Sequence, residues 1–217
     1  MNPYLELAKP RIAVMVGATT ALGYKLSGGS SATALWAAVI GTTLCSASCG
    51  TLNQLLEKEQ DGLMGRTRNR PLPKGDLTPL QALSSGLLSA AVGLSVLYAF
   101  CGLLPFALTA CTIGLYVGVY TPLKQMTPQS TWIGAAAGAA PPLIGWAAGA
   151  GSLSSMAWLL FAIQFLWQIP HFLAMFWLHR EDYARAGFRV MPVVSPGGAA
   201  AQIALHSFTI LPVTLLP

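Results

Sequence analysis

Polar residues divide the chain into seven long apolar runs, at residues 12–27, 34–57, 79–101, 104–120, 129–150, 156–178 and 199–217. Most have the roughly 17–25 residues that an α-helix needs to cross the hydrocarbon core of a bilayer. The pattern predicts an all-α, polytopic transmembrane helical bundle of about seven helices. Three connections, SGGSSA, CGLLP and AGAGSLSS, are short, neutral and turn-like, whereas the intervening loops hold nearly every ionisable group. No Ser/Gly linker interrupts the runs, so residues 1–217 are expected to form a single domain. The last run stops at Pro217 without a polar flank, which predicts a chain cut short at its C-terminal end.

Composition agrees with a lipid environment. The chain is 54% hydrophobic and 9% charged, with a mean hydropathy of +0.59, where soluble domains carry about 25% charged residues. Lys9 and Arg11, the stretch from Lys58 to Lys74, Lys124, and Arg180, Arg185 and Arg189 all fall on one side of the predicted bundle, with every acid. Only Lys25 falls on the other. By the positive-inside rule the N-terminus and the charged loops are cytoplasmic, and the active face is expected there. This asymmetry accounts for the net charge of +5, so no nucleic-acid partner is expected. Without a cleavable signal or an Arg-rich transit pattern, a bacterial cytoplasmic membrane is favoured over the mitochondrial inner membrane. Cys45, Cys49, Cys101 and Cys111 form no CxxC or zinc pattern and read as packing residues.

Two charged clusters carry the candidate chemistry. In NQLLEKEQDGLMGRTRNRPLPKG, Asn53, Glu57 and Asp61 recur every four residues, which puts all three on one helical face. Carboxylate and amide oxygens are hard donors suited to Mg²⁺, an ion usually shared with substrate phosphates. Arg66, Arg70 and Lys74 follow, and guanidinium groups bind phosphate oxygens bidentately. The second cluster is WQIPHFLAMFWLHREDYARAG, where Gln164, Gln168 and His171 give the sixth helix a polar stripe. His171 and Asp182 are eleven residues apart, three turns, and align if the helix runs through. Glu181 and Asp182 add a second acidic site, with Arg180 beside it. Tyr120 and Lys124 lie between the clusters in sequence and offer a hydroxyl and an ammonium to a phosphate. In the fifth helix, Pro141 and Pro142 remove backbone donors, and the resulting break is expected to face a protein cavity rather than lipid.

Together these segments resemble the UbiA superfamily of intramembrane prenyltransferases. The first acidic motif is similar to Asn53-x₃-Glu57-x₃-Asp61 followed by RTRNRPL. LAKPRI, YTPLKQMTPQ, IGAAAGAAPPLIGWAAG, FLWQIPHF and EDYARAG resemble its haem-farnesylating branch, with Gln125 and Ile169 standing where that branch usually has other residues. The resemblance implies about nine helices in a whole protein, and farnesyl diphosphate and haem B as substrates. It implies Mg²⁺ held by Asn53, Glu57, Asp61, Glu181 and Asp182, with Glu57, Asp61 and Asp182 catalytic. Arg66, Arg70, Lys74, Tyr120, Lys124 and Arg180 would bind the diphosphate, and His171, Trp167 and Phe172 the haem. Contact with a haem A synthase or with terminal oxidase assembly would follow from such a product. The alternatives are a UbiA-type enzyme for a quinone or other aromatic acceptor and, more remotely, a small-solute transporter. A transporter would spread ionisable residues through the membrane; here the acids share one face.

Overall fold

The structure, a computed structural model, describes residues 2–216. In chain order the helices are α1 (Pro3–Leu7), α2 (Pro10–Leu26), α3 (Ala32–Leu56), α4 (Lys58–Leu63), α5 (Pro71–Lys74), α6 (Pro79–Cys101) and α7 (Leu103–Ile113). A π-helical segment (Gly114–Tyr120) then leads into α8 (Thr121–Met126). After it come α9 (Ser130–Gly138), α10 (Ala140–Ala150), α11 (Ser155–Leu178), α12 (Arg180–Arg185), α13 (Met191–Val194) and α14 (Pro196–Thr214). Seven rods result among the described residues, as the apolar runs predict, because α7–α8 and α9–α10 each act as one. Among the described residues, four continuous helical stretches, 32–56, 79–101, 103–126 and 155–178, are long and apolar enough to cross a membrane.

Local signals place the boundaries. Pro10 and Pro79 open helices at positions where no backbone donor is needed. Thr78 and Gln81 form a reciprocal capping box, with Gln81 N–H donating to Thr78 Oγ1 at 3.3 Å and Thr78 N–H to Gln81 Oε1 at 2.9 Å. Large apolar side chains such as Met15, Leu80, Leu88 and Phe208 point outward and exposed. In water that surface would be a liability, but in lipid it is the solvent-facing side.

Close backbone approach holds the bundle. α3 packs along α6, α2 against α10, and α11 against α14. The α2–α10 contact depends on missing side chains: a Cβ at Gly145 would overlap the Thr20 carbonyl oxygen, and one at Gly23 the Pro142 carbonyl oxygen. Small residues at such crossings let dispersion and weak backbone contacts replace the hydrophobic drive that lipid does not supply. The break between α9 and α10 falls at Ala139, just before Pro141 and Pro142, and Gly138 and Pro141 face a cavity. The sixth run differs from the expectation in one respect. The helix is interrupted before Asp182; α11 ends at Leu178, His179 adopts φ −112°, ψ 23°, and α12 begins at Arg180.

The crossing makes a prediction. Gly145→Leu should lower the thermal midpoint in detergent by the equivalent of about 1–3 kcal/mol of overpacking. Gly118→Ala, at a position where a Cβ meets nothing, should leave it unchanged. Equal midpoints for the two would show that α2 and α10 do not meet there.

Candidate active site at the charged end of the bundle

The three residues of the first motif sit in a nearly water-free setting. Asn53, Glu57 and Asp61 are each no more than 3% exposed. Glu57 lies at the joint between α3 and α4, yet Glu57 N–H bonds to Asn53 O at 3.0 Å and Asp61 N–H to Glu57 O at 2.8 Å. The i→i+4 ladder therefore survives the joint and keeps all three side chains on one face.

Each buried acid has a cation. Lys124 Nζ reaches the two Glu57 oxygens at 2.7 and 3.0 Å, and Arg70 Nη1 reaches Asp61 Oδ2 at 2.6 Å. Lys9 Nζ donates to Asn53 Oδ1 at 3.0 Å, and Asn53 Nδ2 to Thr121 Oγ1 at 3.2 Å. Aromatic faces surround Lys124, with its Nζ 4.8 Å from the Phe188 ring centroid and 5.5 Å from that of Tyr120. Tyr120 is itself buried, with Gly134 against its ring.

The π-helical segment delivers these groups. Pro122 has no N–H for the carbonyl four residues back, and Thr121 instead bonds to Tyr116 O through both its N–H and its Oγ1, at 2.9 Å for the latter. Widening a helix by one residue per turn rotates all that follows, a device frequent at functional sites. Here it turns Tyr120 and Lys124 onto the acidic face of α3.

The second cluster arrives from the opposite side of the loop layer. Gly65 N–H donates to Asp182 Oδ1 at 3.2 Å, and Arg66 binds the Tyr183 hydroxyl while its guanidinium lies over that ring. Met64, Phe176, Tyr183, Ala186, Phe188 and Val190 form a small core that clamps the two loops together. Asp182 also pairs with Arg185. Glu181 and Arg180 are exposed, Arg180 near the Trp177 ring and both in a shallow surface depression. Lys74 is exposed and pairs with Asp76 at 3.2 Å. The five oxygen-donor residues are thus not gathered in one place: three share the α3–α4 face, Asp182 meets the loop at Gly65, and Glu181 faces outward. Among the described residues no three of His, Cys, Asp and Glu converge on a metal position. The donor set of Asn53, Glu57 and Asp61 fits Mg²⁺ nonetheless, since that ion keeps several waters and takes phosphate oxygens as further ligands.

Beneath this charged layer lies a cavity of about 720 Å³ with mostly apolar walls. It reaches Cys49 and Gly50, one turn short of Asn53, and Lys9 and Arg11 stand at its rim. Tyr116 contributes an aromatic wall, and the stripe of α11 contributes Gln164, Trp167, Gln168, His171 and Phe172. His171 stacks on Trp167 with centroids 5.0 Å apart.

Lys9 is the residue that sequence reasoning passed over, as a mere positive-inside charge. It is the one non-glycine residue with positive φ among the described residues (φ 48°, ψ 61°). Such strain, of order 1–3 kcal/mol, persists only where the surroundings impose it. Burial, with the charge of Arg70 adding to it and that of Glu57 opposing, pushes the Lys9 ammonium down to about 8. The signal in the sequence was the lysine set directly before Pro10, where a helix must start.

A helical bundle with a buried Asn-x₃-Glu-x₃-Asp face, facing cations and an apolar chamber beneath defines a class, and residues 14–217 match the UbiA prenyltransferase family. The chain belongs to that family and is an integral membrane protein. It is 40% identical over 232 residues to the protoheme IX farnesyltransferase of Solibacter usitatus (strain Ellin6076), covering 100% of this chain and 79% of that one. To the protoheme IX farnesyltransferase of Thermosynechococcus vestitus it is 42% identical over 219 residues, covering 98% and 68%. Among solved structures, a UbiA homolog from Archaeoglobus fulgidus bound to GPP and Mg²⁺ matches with TM-score 0.80 at 18% identity, over 98% of this chain and 76% of that one. The apo structure of a UbiA homolog from Aeropyrum pernix K1 matches with TM-score 0.76 at 17% identity, over 94% and 77%. At such identities the likeness is one of fold.

The buried pair predicts a measurable asymmetry. Lys124→Met should destabilise the protein by about 3–5 kcal/mol, because it strands the Glu57 carboxylate. Adding Glu57→Gln to that variant should restore most of the loss. Additive losses in the double variant would show that the two groups do not pair.

Proposed function

We propose that the protein transfers the farnesyl group of farnesyl diphosphate to a vinyl group of haem B, with addition of water, at the cytoplasmic face of a bacterial inner membrane. The observation that carries the reading is the apolar chamber ending at a buried, charge-matched face: a prenyl diphosphate is an apolar tail on a polyanion. The name borne by relatives at about 40% identity supports haem B as the acceptor.

The residues divide the work. Asn53, Glu57 and Asp61 would hold Mg²⁺, and Asp182, held against the Gly65 N–H next to Arg66, would be a further oxygen donor. When bound, Mg²⁺ supplies charge neutralisation to the leaving diphosphate. Arg70 and Lys124, which neutralise the acids in the resting protein, are then free to turn to diphosphate oxygens, with Arg66 and Lys9 beside them. Their preorganised charges favour the transition state in which the C1–O bond lengthens, since negative charge grows on the diphosphate. The apolar chamber keeps water from the allylic cation, and Tyr116 is among the residues that line it, where an aromatic ring can attract positive charge. The vinyl group attacks C1, and the new cation beside the porphyrin ring is captured by water. Phe172 and the Trp167–His171 stack form the wall against which the porphyrin lies.

The direct test is the product. Purified protein given haem B, farnesyl diphosphate and Mg²⁺ should yield a species heavier than haem B by one farnesyl group and one hydroxyl group. Prenylation of a hydroxybenzoate or a naphthoate, with haem never modified, would refute the acceptor and leave the quinone-type reading.

Lys9 gives a pH dependence. An anionic diphosphate favours the charged ammonium, and in the free protein that ammonium titrates near 8. Affinity for farnesyl diphosphate should therefore be level below pH 8 and fall as the pH rises through it. Lys9→Arg, charged throughout the range, should bind with no such fall. The same fall in both proteins would take Lys9 out of the diphosphate site.

A further inference from the structure

The chamber walls are mostly apolar, with scattered hydroxyls and the amide and imidazole stripe of α11. Of their buried polar side-chain atoms, Thr42 Oγ1 and Gln168 Nε2 have no partner among the described residues, and Gln168 Nε2 is the one that can only donate. Gln168 is 5% exposed, and its Nε2 has no hydrogen-bond partner among the described residues. A buried amide donor left unpaired carries its full desolvation penalty, so such a group in a native protein calls for an explanation. Gln168 lies against Gly138, so close that a Cβ there would collide with the side-chain amide. Gly138 ends α9 at the helix break, and its carbonyl would normally accept from the residue four positions on. That residue is Pro142, which has no N–H to give. An unpaired amide donor and the helix break that removes the usual partner of the Gly138 carbonyl thus lie side by side on the chamber wall, with His171 one turn along the same stripe.

We infer that Gln168, with the Gly138 carbonyl, positions the water that captures the cation formed when the haem vinyl group attacks farnesyl C1; this rests on the function proposed above. A water accepting from Gln168 Nε2 and donating to Gly138 O keeps one lone pair free. That pair forms the new C–O bond to the cationic carbon, and one water proton passes to the ring of His171. No bond breaks other than the O–H. The site answers a conflict in the reaction. Free water in the chamber would destroy the first, allylic cation, whereas one water fixed at a wall reaches only a carbon brought to it. A buried polar site with two or three partners is where proteins hold such a molecule.

Without a held water, the second cation has another outlet: it loses a proton and becomes an alkene, lighter than the hydrated product by one water. Gln168→Met keeps the volume and removes the amide. Membranes carrying this variant, given haem B, farnesyl diphosphate and Mg²⁺, should still consume both substrates. The ratio of hydrated to dehydrated product should fall several-fold, up to about tenfold, the worth of one lost hydrogen bond. Thermal stability should change little, because the Gln168 Nε2 has no protein partner to lose. Gln168→Asn, which keeps an amide N–H donor one methylene back, should recover more of the hydrated product than Gln168→Met. If Gln168→Met fails to insert, Gly138→Ala displaces the amide by its new methyl group and should shift the product in the same direction. Hydrated product at the wild-type ratio from Gln168→Met or Gly138→Ala would overturn the assignment. Failure of the wild-type protein to prenylate haem at all would instead refute the underlying function.

Discussion

Two carboxylates buried at the end of an apolar bundle must be neutralised, and much of the architecture follows from that demand. Taking a charge out of water costs several kcal/mol even after relaxation, and a matching charge offsets this only with good geometry. Lys124 and Arg70 provide it for Glu57 and Asp61. To bring Lys124 there, the helix before it has to widen into a π-segment. To bring Arg70 there, the chain has to fold back after α4 and be clamped against α12 by the core around Met64 and Tyr183. The resting pairs are thus both a structural requirement and a reserve of cations beside a place built for a polyanion.

The chamber answers a second constraint, that backbone polar groups cannot face lipid unpaired. The Pro141–Pro142 pair opens α9–α10, and the break lies inside the bundle, walled by α11. Close approach of α2 and α10 through Gly23 and Gly145 seals the neighbouring side. Small residues therefore do two things here: they tighten one crossing, and at Gly138 they leave room for Gln168. Irregular backbone, strained φ at Lys9 and unpaired polar atoms all concentrate near the charged end and its chamber. That distribution is expected when order elsewhere supports a few strained positions that serve chemistry.

Seven rods, their lengths and the gathering of charge at one end were legible because bilayer thickness and charge asymmetry act on each segment separately. The shared face of Asn53, Glu57 and Asp61 was legible too, since a spacing of four needs only a helix. The break at Pro141 and Pro142 belongs with them, as a local consequence of two missing donors. What the sequence could not place were groups whose position depends on a turn of direction or on a distant partner. His171 and Asp182 align by count, but His179 ends the helix and sends Asp182 to Gly65 and His171 to the chamber. Lys74 reads like its neighbours Arg66 and Arg70, yet it is exposed and bound to Asp76. Lys9 reads as a topological charge, yet it is held in a left-handed conformation against Asn53, 44 residues away in the chain. Sequence periodicity reports which face a residue shares with its near neighbours. Which cation meets which acid, and which amide is left without a partner, is decided by the packing of separate helices, and only the tertiary structure holds that information.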